Sequence, residues 1–314
     1  MTKWLITGGA GYIGSHVVRK FQEHGHEVAI FDDFSTGSRD FLPHDVHITT
    51  GDIRDASALA QALEGSSGVV HLAGYKYASE SVKYPKETFD VNVNGTKNLL
   101  QQIRIANIHK LIFSSSSSVY GMPAVLPATE TSKIQPESPY AESKVSAENL
   151  IGSETNLGAV ILRYFNVVGS GYKEINDLSP YNLFPIIIEK FKQRSPALIT
   201  GSDFDTPDGT AIRDYIHVSD IATAHLNAAN YLDNNSSQKL IANLSTGTGY
   251  SVLQVMNEFK SQLGDCFSFD FVPRRIGDPA VIYGDSELAR VELGWSPQFT
   301  LKDMVASAIR GANL

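Results

Sequence analysis

The chain has 314 residues, of which 42% are hydrophobic and 19% charged, and its formal net charge is −8. This composition is ordinary for a globular protein of one large or two modest domains, and the negative charge argues against a nonspecific nucleic-acid binder, which is typically basic. No apolar run approaches the roughly 18 residues of a membrane-spanning helix, and Met1-Thr2-Lys3 leads straight into a strand without room for a signal peptide. We therefore expect a cytoplasmic protein without a nucleic-acid or membrane partner.

Short apolar runs alternate with helical segments through the first half of the chain. Continuous apolar strands between helices predict a parallel sheet covered on both faces, that is, a Rossmann-like doubly wound α/β fold. Strands are expected at 3–8, 27–33, 46–50, 68–73, 109–115 and 159–166. Helices are expected at 13–24, 56–63, 86–106 and 138–156.

The pattern changes after residue 166, where proline and glycine become frequent up to residue 210. This texture predicts a smaller α/β region that caps the first. Residues 212–218 and 240–246 have the composition of strands that return to the main sheet. The predicted domains are therefore 1–166 with returning segments at about 211–246, and a second domain formed by 167–210 and 247–314.

Cysteine and histidine point to no metal or thiol chemistry. The single cysteine, Cys266, excludes an intrachain disulfide, which suits a cytosolic protein, and we expect it to be a buried small hydrophobe. The nine histidines lack the spacing of metal ligands, so no metal site is expected.

A glycine-rich run follows the first predicted strand and opens the first predicted helix: Gly8-Gly9-Ala10-Gly11-Tyr12-Ile13-Gly14. Glycines in a strand–loop–helix turn let the backbone approach a pyrophosphate, which the helix N-terminus favours electrostatically. Asp32 ends the second predicted strand. An acid there accepts hydrogen bonds from the ribose of NAD and repels the extra phosphate of NADP, so the sequence predicts NAD.

Two further strand ends should face the same crevice, because ligands bind at the carboxyl ends of parallel strands. Asp52-Ile53 follows the third strand and Leu72-Ala73-Gly74 follows the fourth. We expect them to flank the adenine and the central phosphates or ribose. Asn92 either braces this region or makes a helix-packing hydrogen bond, and both interpretations remain open.

Tyr140 is the one tyrosine among thirteen that has a lysine, Lys144, four residues later. This spacing places both side chains on one helix face, and an ammonium beside a phenol favours the phenolate, a base for hydride transfer from an alcohol. Ser138 and Pro139 suit the N-cap and the first helical position, so Tyr140 should lie in the first turn.

The charge of Lys144 could supply most of the pKa shift that such a base requires. Lowering a phenol pKa from about 10 toward 7 costs about 4 kcal/mol. One unit charge at ~4 Å with an effective dielectric of 20 supplies about 4 kcal/mol before desolvation. Lys144 alone should therefore nearly suffice, with the oxidised nicotinamide adding a second charge. By composition, any of Ser114 to Ser118 could bridge phenol and substrate.

Together these motifs resemble the extended short-chain dehydrogenase/reductase superfamily and, within it, the UDP-glucose (UDP-galactose) 4-epimerases. The resemblance runs over essentially the whole chain. The glycine run and the tyrosine–lysine pair are superfamily motifs. Lys76 and the segments 163–166 and 208–218 are closer to the epimerases. The segments that carry the resemblance are 7–16, 71–76, 113–116 with 119–121, 139–144, 163–166 and 208–218.

The resemblance implies an NAD-dependent isomerase that interconverts UDP-glucose and UDP-galactose. Hydride would leave C4 of the hexose, the 4-keto sugar would turn in the pocket, and hydride would return to its other face. The first domain would bind NAD, the second would bind the nucleotide sugar, and the protein would be a homodimer.

Residue roles follow from the same resemblance. Tyr140 would be the base, Lys144 its partner and Ser116 the catalytic hydroxyl. Besides Tyr140 and Lys144, the residues implied to meet NAD are Gly8, Gly11, Tyr12, Ile13, Gly14, Asp32, Asp33, Phe34, Ser35, Thr36, Gly37, Asp52, Ile53, Leu72, Ala73, Gly74, Lys76, Asn92, Tyr164 and Phe165. Those implied to meet the nucleotide sugar are Ser116, Asn166, Asn182, Leu183, Arg213, Arg275 and Asp278.

Some positions depart from the family pattern or bear on rival activities. Ser117-Ser118 replaces the usual Ala-Thr, and also lacks the Asp-Glu pair with which nucleotide-sugar dehydratases eliminate water. Ile282 aligns with a position that gates N-acetylated sugars, and its bulk suggests a plain hexose, although the alignment could slip onto Tyr283. The alternatives are a UDP-glucuronate 4-epimerase or decarboxylase, a UDP-N-acetylhexosamine 4-epimerase, a ketoreductase with exchangeable cofactor, and a non-catalytic NAD-sensing protein.

Overall fold

The computed structural model describes residues 2–275 and 277–314. Within these residues no helix is long and apolar enough to cross a bilayer. The strands are β1 (Lys3–Thr7), β2 (Glu27–Asp32), β3 (His47–Thr50), β4 (Gly68–His71), β5 (Lys110–Ser116), β6 (Gly158–Tyr164), β7 (Asn166–Val168), β8 (Ala197–Thr200), β9 (Ile212–Arg213), β10 (Tyr215–His217), β11 (Lys239–Leu244), β12 (Tyr250–Ser251), β13 (Phe269–Val272) and β14 (Val281–Ile282).

The helices alternate with these strands through the first half of the chain and also build most of the second. They are α1 (Tyr12–Glu23), α2 (Ala56–Ala62), α3 (Ala78–Ser81), α4 (Pro85–Phe89), α5 (Gly95–Ile105), α6 (Pro139–Ser153), α7 (Leu183–Lys192), α8 (Val218–Asn234), α9 (Val252–Leu263), α10 (Glu287–Leu293) and α11 (Leu301–Gly311). Short 3-10 turns occur at Arg39–Phe41, Ser117–Tyr120 and Gly264–Cys266.

A seven-stranded parallel sheet forms the centre of the protein, in the order β11-β6-β5-β4-β1-β2-β3. The order reverses between β1 and β4, which is the switch point where doubly wound sheets bind ligands. Both faces of the sheet are covered, so successive side chains of one strand enter different cores. Trp4 and Ile6 pack with α1 and α8, and Leu5 packs with α2, α5 and α6. The predicted Rossmann-like fold class is therefore confirmed.

The returning segments behave differently from each other. Residues 240–246 were expected to rejoin the main sheet, and β11 does pair with β6 there. The same expectation for 212–218 is wrong, because this stretch splits at Asp214 into β9 and β10. These strands pair with β12, β14 and β7 outside the main sheet.

Two local expectations also need correction. The helix predicted at 86–106 is interrupted by a π-helical segment, Asp90–Asn94, between α4 and α5. Cys266 is exposed rather than buried, because it ends the short 3-10 turn after α9.

A second core lies in the C-terminal half of the chain. Buried residues of α7, α9 and α11, such as Phe184, Phe259 and Met304, pack with Ala197 and Ile199 of β8. This unit lies beyond the carboxyl ends of the main strands. It is connected to them by the paired strands β7 and β10. Tyr12 joins the two parts directly, since its hydroxyl donates to the carbonyl oxygen of Gly169 at 2.6 Å.

Candidate active site

Only glycine fits at one position in the turn between β1 and α1 and at one in the first turn of α1. Gly8 has φ +71°, and a Cβ there would lie 2.6 Å from the amide nitrogen of Ala73. A Cβ on Gly14 would lie 2.1 Å from the carbonyl oxygen of Gly8. Gly11 precedes α1 without a side-chain cap, so the first amides of the helix are left to a ligand. This is the geometry of a pyrophosphate cradle.

Asp32 organises the loop beside that cradle. One carboxylate oxygen accepts from the amide of Ala10 at 2.9 Å, and the other accepts from the amide of Phe34 at 2.8 Å. Burial raises the pKa of Asp32, and these two amides counteract the rise. Each oxygen keeps a second lone pair for a ribose hydroxyl. The fixed loop then carries Asp33, Ser35, Thr36 and Gly37, with Ser38 donating its amide to the carbonyl oxygen of Ala10 at 3.0 Å.

The predicted adenine side is built from two residues of unlike character. Ile53 is buried and packs against Gly95, where a Cβ would lie 2.5 Å from the isoleucine side chain. Asp52 is held by Arg54, whose Nε donates to its carboxylate at 2.8 Å. This hydrogen bond is the main cause that lowers the pKa of Asp52, so the carboxylate is charged at neutral pH.

Asn92 resolves the choice that the sequence left open, since it both braces the loop and packs the helices. Its side chain accepts from the amide of Tyr75 at 2.7 Å and donates to the carbonyl oxygen of Tyr75 at 3.1 Å. It also donates to the hydroxyl of Ser143 at 2.9 Å. Asn92 thus ties the loop after β4 to the helix that carries Tyr140.

Helix α6 begins as the sequence predicts. The Ser138 hydroxyl accepts from the amide of Ala141 at 3.2 Å, and Pro139 occupies the first helical position. Tyr140 therefore lies in the first turn. Its amide donates to the hydroxyl of Ser81 at 3.1 Å, a contact that sequence reasoning missed because Ser81 lies in a short helix without a motif.

Lys144 is buried beneath Tyr140 and is anchored to β5. Its ammonium donates to the carbonyl oxygen of Ser114 at 2.8 Å and lies 5.8 Å from the centre of the Tyr140 ring. Burial lowers the pKa of Lys144 to about 8, although the carboxylate of Glu148 acts in the opposite direction.

The expectation that Lys144 alone would bring the phenol close to ionisation is wrong for the protein by itself. Burial raises the pKa of Tyr140, and the hydrogen bond with the Ser116 side chain offsets only part of the rise. The physical reason is that desolvation of the buried phenol outweighs the stabilisation that its neighbours provide. A further positive charge is needed beside the phenol, and an oxidised nicotinamide would supply one.

The serine run divides its hydroxyls between three tasks. Ser114 contacts Nε2 of His225 at 3.2 Å, and Ser115 donates to Glu148 at 2.5 Å. Ser116 ends β5, accepts from the amide of Ser118 at 3.2 Å and interacts with Tyr140. Ser116 is thus the serine of the three that the structure brings to the phenol, and strand alternation explains why Ser115 faces away.

Beneath the serines lies a buried ion pair that the sequence did not reveal. Arg163 donates through Nε and Nη2 to the two carboxylate oxygens of Glu148 at 2.9 and 2.6 Å. Its Nη1 donates to the hydroxyl of Tyr120 at 3.0 Å. Because α6, β5 and β6 all contribute, this cluster fixes α6, the helix of Tyr140 and Lys144, against the sheet.

The predicted substrate residues lie on the capping part of the chain. Arg213 on β9 pairs in register with Ile282 on β14. Burial lowers the pKa of Arg213, and the nearby carboxylate of Asp278 partly opposes this shift. Asn182 occupies the N-cap position of α7, and Leu183 is the first residue of the helix. The Asn182 side chain donates to the Asp177 carboxylate at 2.7 Å. Arg275 is exposed, and its carbonyl oxygen accepts from the amide of Asp278.

Asp214 holds these substrate segments together and was missed from the sequence, where it is simply one acid in a strand-like run. Its buried carboxylate accepts from the amide and hydroxyl of Thr246 at 2.9 and 2.7 Å. Its backbone receives the amide of Asn166 and donates to the carbonyl oxygen of Ile282. Burial raises the pKa of Asp214 to about 6.

Taken together, the glycine turn, the uncapped helix start and the carboxylate of Asp32 fit a dinucleotide. The remaining predicted cofactor residues lie at the same sheet edge. Leu72 and Ala73 directly follow β4, Lys76 follows the loop that Asn92 braces, and Tyr164 ends β6 beside His225. Phe165 is buried against Tyr120 and Ile282, between the cofactor side and the substrate side.

Comparisons with known proteins agree with this geometry. The NAD dependent epimerase/dehydratase family matches residues 4–244. The UDP-glucose 4-epimerase of Corynebacterium glutamicum is 40% identical over 313 residues, which cover 98% of this chain and 94% of that protein. The enzyme of the same name from Yersinia enterocolitica is 41% identical over 326 residues, covering 97% and 95%.

Solved structures extend the likeness to three dimensions. A UDP-glucose 4-epimerase from Stenotrophomonas maltophila with bound NAD and formylated UDP-arabinopyranose superposes with a TM-score of 0.95 at 35% identity, covering 100% of this chain and 98% of that one. The Bifidobacterium longum enzyme in complex with NAD+ and UDP has a TM-score of 0.90 at 33% identity, covering 99% and 98%.

Proposed function

Since the chain belongs to the NAD dependent epimerase/dehydratase family, we propose that it is a UDP-glucose 4-epimerase that interconverts UDP-glucose and UDP-galactose with NAD as its resident cofactor. Near full-length similarity to enzymes of that name supports the activity. The observation that carries the proposal is the convergence of Tyr140, Lys144 and Ser116 at the sheet edge that also bears the glycine turn.

NAD, when bound, supplies an acceptor for the hydride of C4 and later returns it. The Tyr140 phenolate takes the proton of the 4-hydroxyl, and the Ser116 hydroxyl relays or stabilises that proton transfer. The Lys144 ammonium stabilises the phenolate and, through Ser114, keeps its own position fixed. The phenol returns the proton to the oxygen at C4 in the second half of the reaction, so the base is regenerated.

Inversion requires a firm hold on UDP and a loose hold on the hexose. Arg213 and Arg275 suit the diphosphate, because the guanidinium fork matches phosphate geometry. Asn166, Asn182, Leu183 and Asp278 complete the proposed nucleotide-sugar site. Ile282 lies beside Arg213 in register, and its bulk favours a hexose without an N-acetyl group.

The proposed division of labour follows the two cores. Residues 1–166 with the returning segment near 240–246 bind NAD, and the capping part binds the nucleotide sugar. We further propose a homodimer in the cytoplasm. The free, exposed Cys266 suits that compartment, because a surface thiol persists where thiols are kept reduced.

The test is conversion of UDP-galactose by the purified protein without added NAD. We expect UDP-glucose to appear, and protein-bound NAD to be recovered after denaturation. UDP-N-acetylgalactosamine should react far more slowly if Ile282 limits the pocket. Absence of conversion both without and with added NAD would contradict the proposed activity.

A further inference from the structure

A strap formed by residues 176–182 crosses the outside of the proposed cofactor cleft. Asp177 holds it in shape by accepting from the amide of Ser179 at 3.0 Å and from the side chain of Asn182 at 2.7 Å. Asn176 fixes its first end by donating to the carbonyl oxygen of Gly311 at 2.9 Å. The second end runs into α7.

Beneath the strap lies a cavity of about 330 Å³. Tyr12, Thr36 and Lys76, which the family resemblance assigns to the cofactor, line its inner side. Leu178 and Pro180 of the strap line its outer side. A dinucleotide on the glycine turn would therefore be covered on this side by the strap, and its departure in this direction requires the strap to move.

The end of the strap next to α7 is fastened to the cofactor side by one tyrosine, Tyr181. The Tyr181 hydroxyl donates to the Glu80 carboxylate at 2.7 Å. The Tyr181 ring meets Tyr77 edge to face, with 4.9 Å between ring centres. Glu80 belongs to α3, and Tyr77 is the residue directly before that helix. Both contacts therefore anchor the strap to the segment that follows Lys76.

We propose that Tyr181, Glu80 and Tyr77 form a latch that keeps the strap closed over the bound dinucleotide and slows its release. The inference rests on the proposed function, because it takes NAD as the occupant of the cleft. Tyr181 is 44% exposed and Leu178 is 64% exposed. The latch therefore contributes little apolar core, and its removal should change cofactor exchange more than folding.

The experiment measures exchange of protein-bound NAD for isotope-labelled NAD added in excess, read by mass spectrometry of the protein-bound fraction. Tyr181→Phe removes the hydrogen bond and keeps the ring, and should speed exchange roughly 2- to 10-fold. Tyr181→Ala removes both contacts and should speed it further. Glu80→Ala should match Tyr181→Phe, and the double variant should be no faster, because both changes break one interaction.

Tyr231→Phe is the matched control. This tyrosine also donates its hydroxyl to a side chain, Gln238, at 3.2 Å, but lies on α8 away from the cavity. It should exchange NAD at the wild-type rate.

The outcomes separate the latch from the activity on which it rests. If the wild-type protein binds no NAD, both proposals fail. If it binds NAD, and both Tyr181 variants exchange at the wild-type rate, the latch is refuted while the proposed activity stands. A higher KM for UDP-galactose with unchanged exchange would likewise refute the latch, because the strap would then serve the substrate alone.

Discussion

The ammonium of Lys144 donates to the carbonyl oxygen of Ser114 at 2.8 Å, and Ser114 lies two residues before the serine that contacts Tyr140. The lysine is therefore fixed to the strand that carries Ser116, the proposed catalytic hydroxyl. Together with the Ser115–Glu148 hydrogen bond, this contact ties helix α6 to the end of β5. The arrangement makes the charge of Lys144 a fixed part of the site, and the predictions about the phenol follow from it.

Tyr140→Phe should lower kcat by about 100- to 10,000-fold, the usual contribution of a positioned acid–base group. The ring and the amide contact with Ser81 remain, so NAD should stay bound. Turnover of UDP-galactose and the NAD content of the denatured protein measure the two effects. Near-normal turnover would refute the assignment of Tyr140 as the base.

Lys144→Met should lower activity and change its pH dependence. The pKa of Lys144 is lowered to about 8, so its charge is present below that pH and is lost above it. The wild-type kcat/KM should therefore decline above about pH 8, whereas the variant, which has no charge to lose, should keep rising as the phenol ionises. A variant whose pH profile parallels the wild type would contradict the role of this charge.

Arg163→Ala should destabilise the fold by about 3–5 kcal/mol, because it leaves the buried carboxylate of Glu148 without its partner. The side chains of this pair are only 5% and 7% exposed. Arg290→Ala is the matched control, since the Arg290–Glu287 pair is 61% and 59% exposed and its loss should leave stability nearly unchanged. Urea unfolding compares them; equal losses would show that burial does not decide the effect.

Gly14→Ala should abolish retention of NAD, because its Cβ would overlap the carbonyl oxygen of Gly8. Gly152→Ala tests the same change where nothing lies within 4 Å of the added Cβ. In helix α6 it should stabilise the protein by about 0.5–1 kcal/mol and leave NAD binding intact. The NAD content of each purified variant is the measurement, and full retention by Gly14→Ala would contradict the cradle.

Acid should destabilise the fold between pH 7 and pH 5. Burial lowers the pKa of His16 and His225 to about 4 and that of His71 and His217 to about 3. In this range the unfolded chain therefore binds more protons than the folded protein, so the free energy of unfolding decreases as the pH is lowered. Each histidine should cost about 1–2 kcal/mol at pH 5.

Two aspartates act in the opposite direction in the same range. Burial raises the pKa of Asp214 and Asp220 to about 6, so the folded state holds protons that the unfolded chain releases, and acid favours folding there by about 1 kcal/mol each. Four histidines outweigh two aspartates. Urea midpoints at pH 5, 6, 7 and 8 check the sum; a midpoint that does not fall toward pH 5 would contradict it.

The parts of the fold that the sequence predicted are those determined by local chemistry. The apolar strands predicted the parallel sheet, and Ser138-Pro139 predicted where α6 begins, because capping depends on neighbouring residues. The split of 212–218 could not be predicted in this way. It depends on Asp214 receiving the amide of Thr246 and pairing its backbone with Ile282, partners far along the chain.

The candidate site shows the same limit. The spacing of Tyr140 and Lys144 predicted a shared helix face, yet the pKa of the phenol depends on its burial, which spacing does not reveal. The latch residue Tyr181 had no signal either. Its partner Glu80 lies about a hundred positions earlier in the chain, and only the folded strap brings them together.

The hydroxyl of Tyr12, on the glycine turn, is bound to the carbonyl oxygen of Gly169, and Nε2 of His16 accepts from the amide of Gly171 at 2.9 Å. Residues 169–171 therefore lie against the glycine turn, although in the sequence they belong to the predicted second domain, the capping part of the chain. A chimera that grafts the cap of a relative onto this Rossmann half should cross over after residue 171. A junction placed at the start of the cap would exchange the very backbone on which Tyr12 and His16 rest.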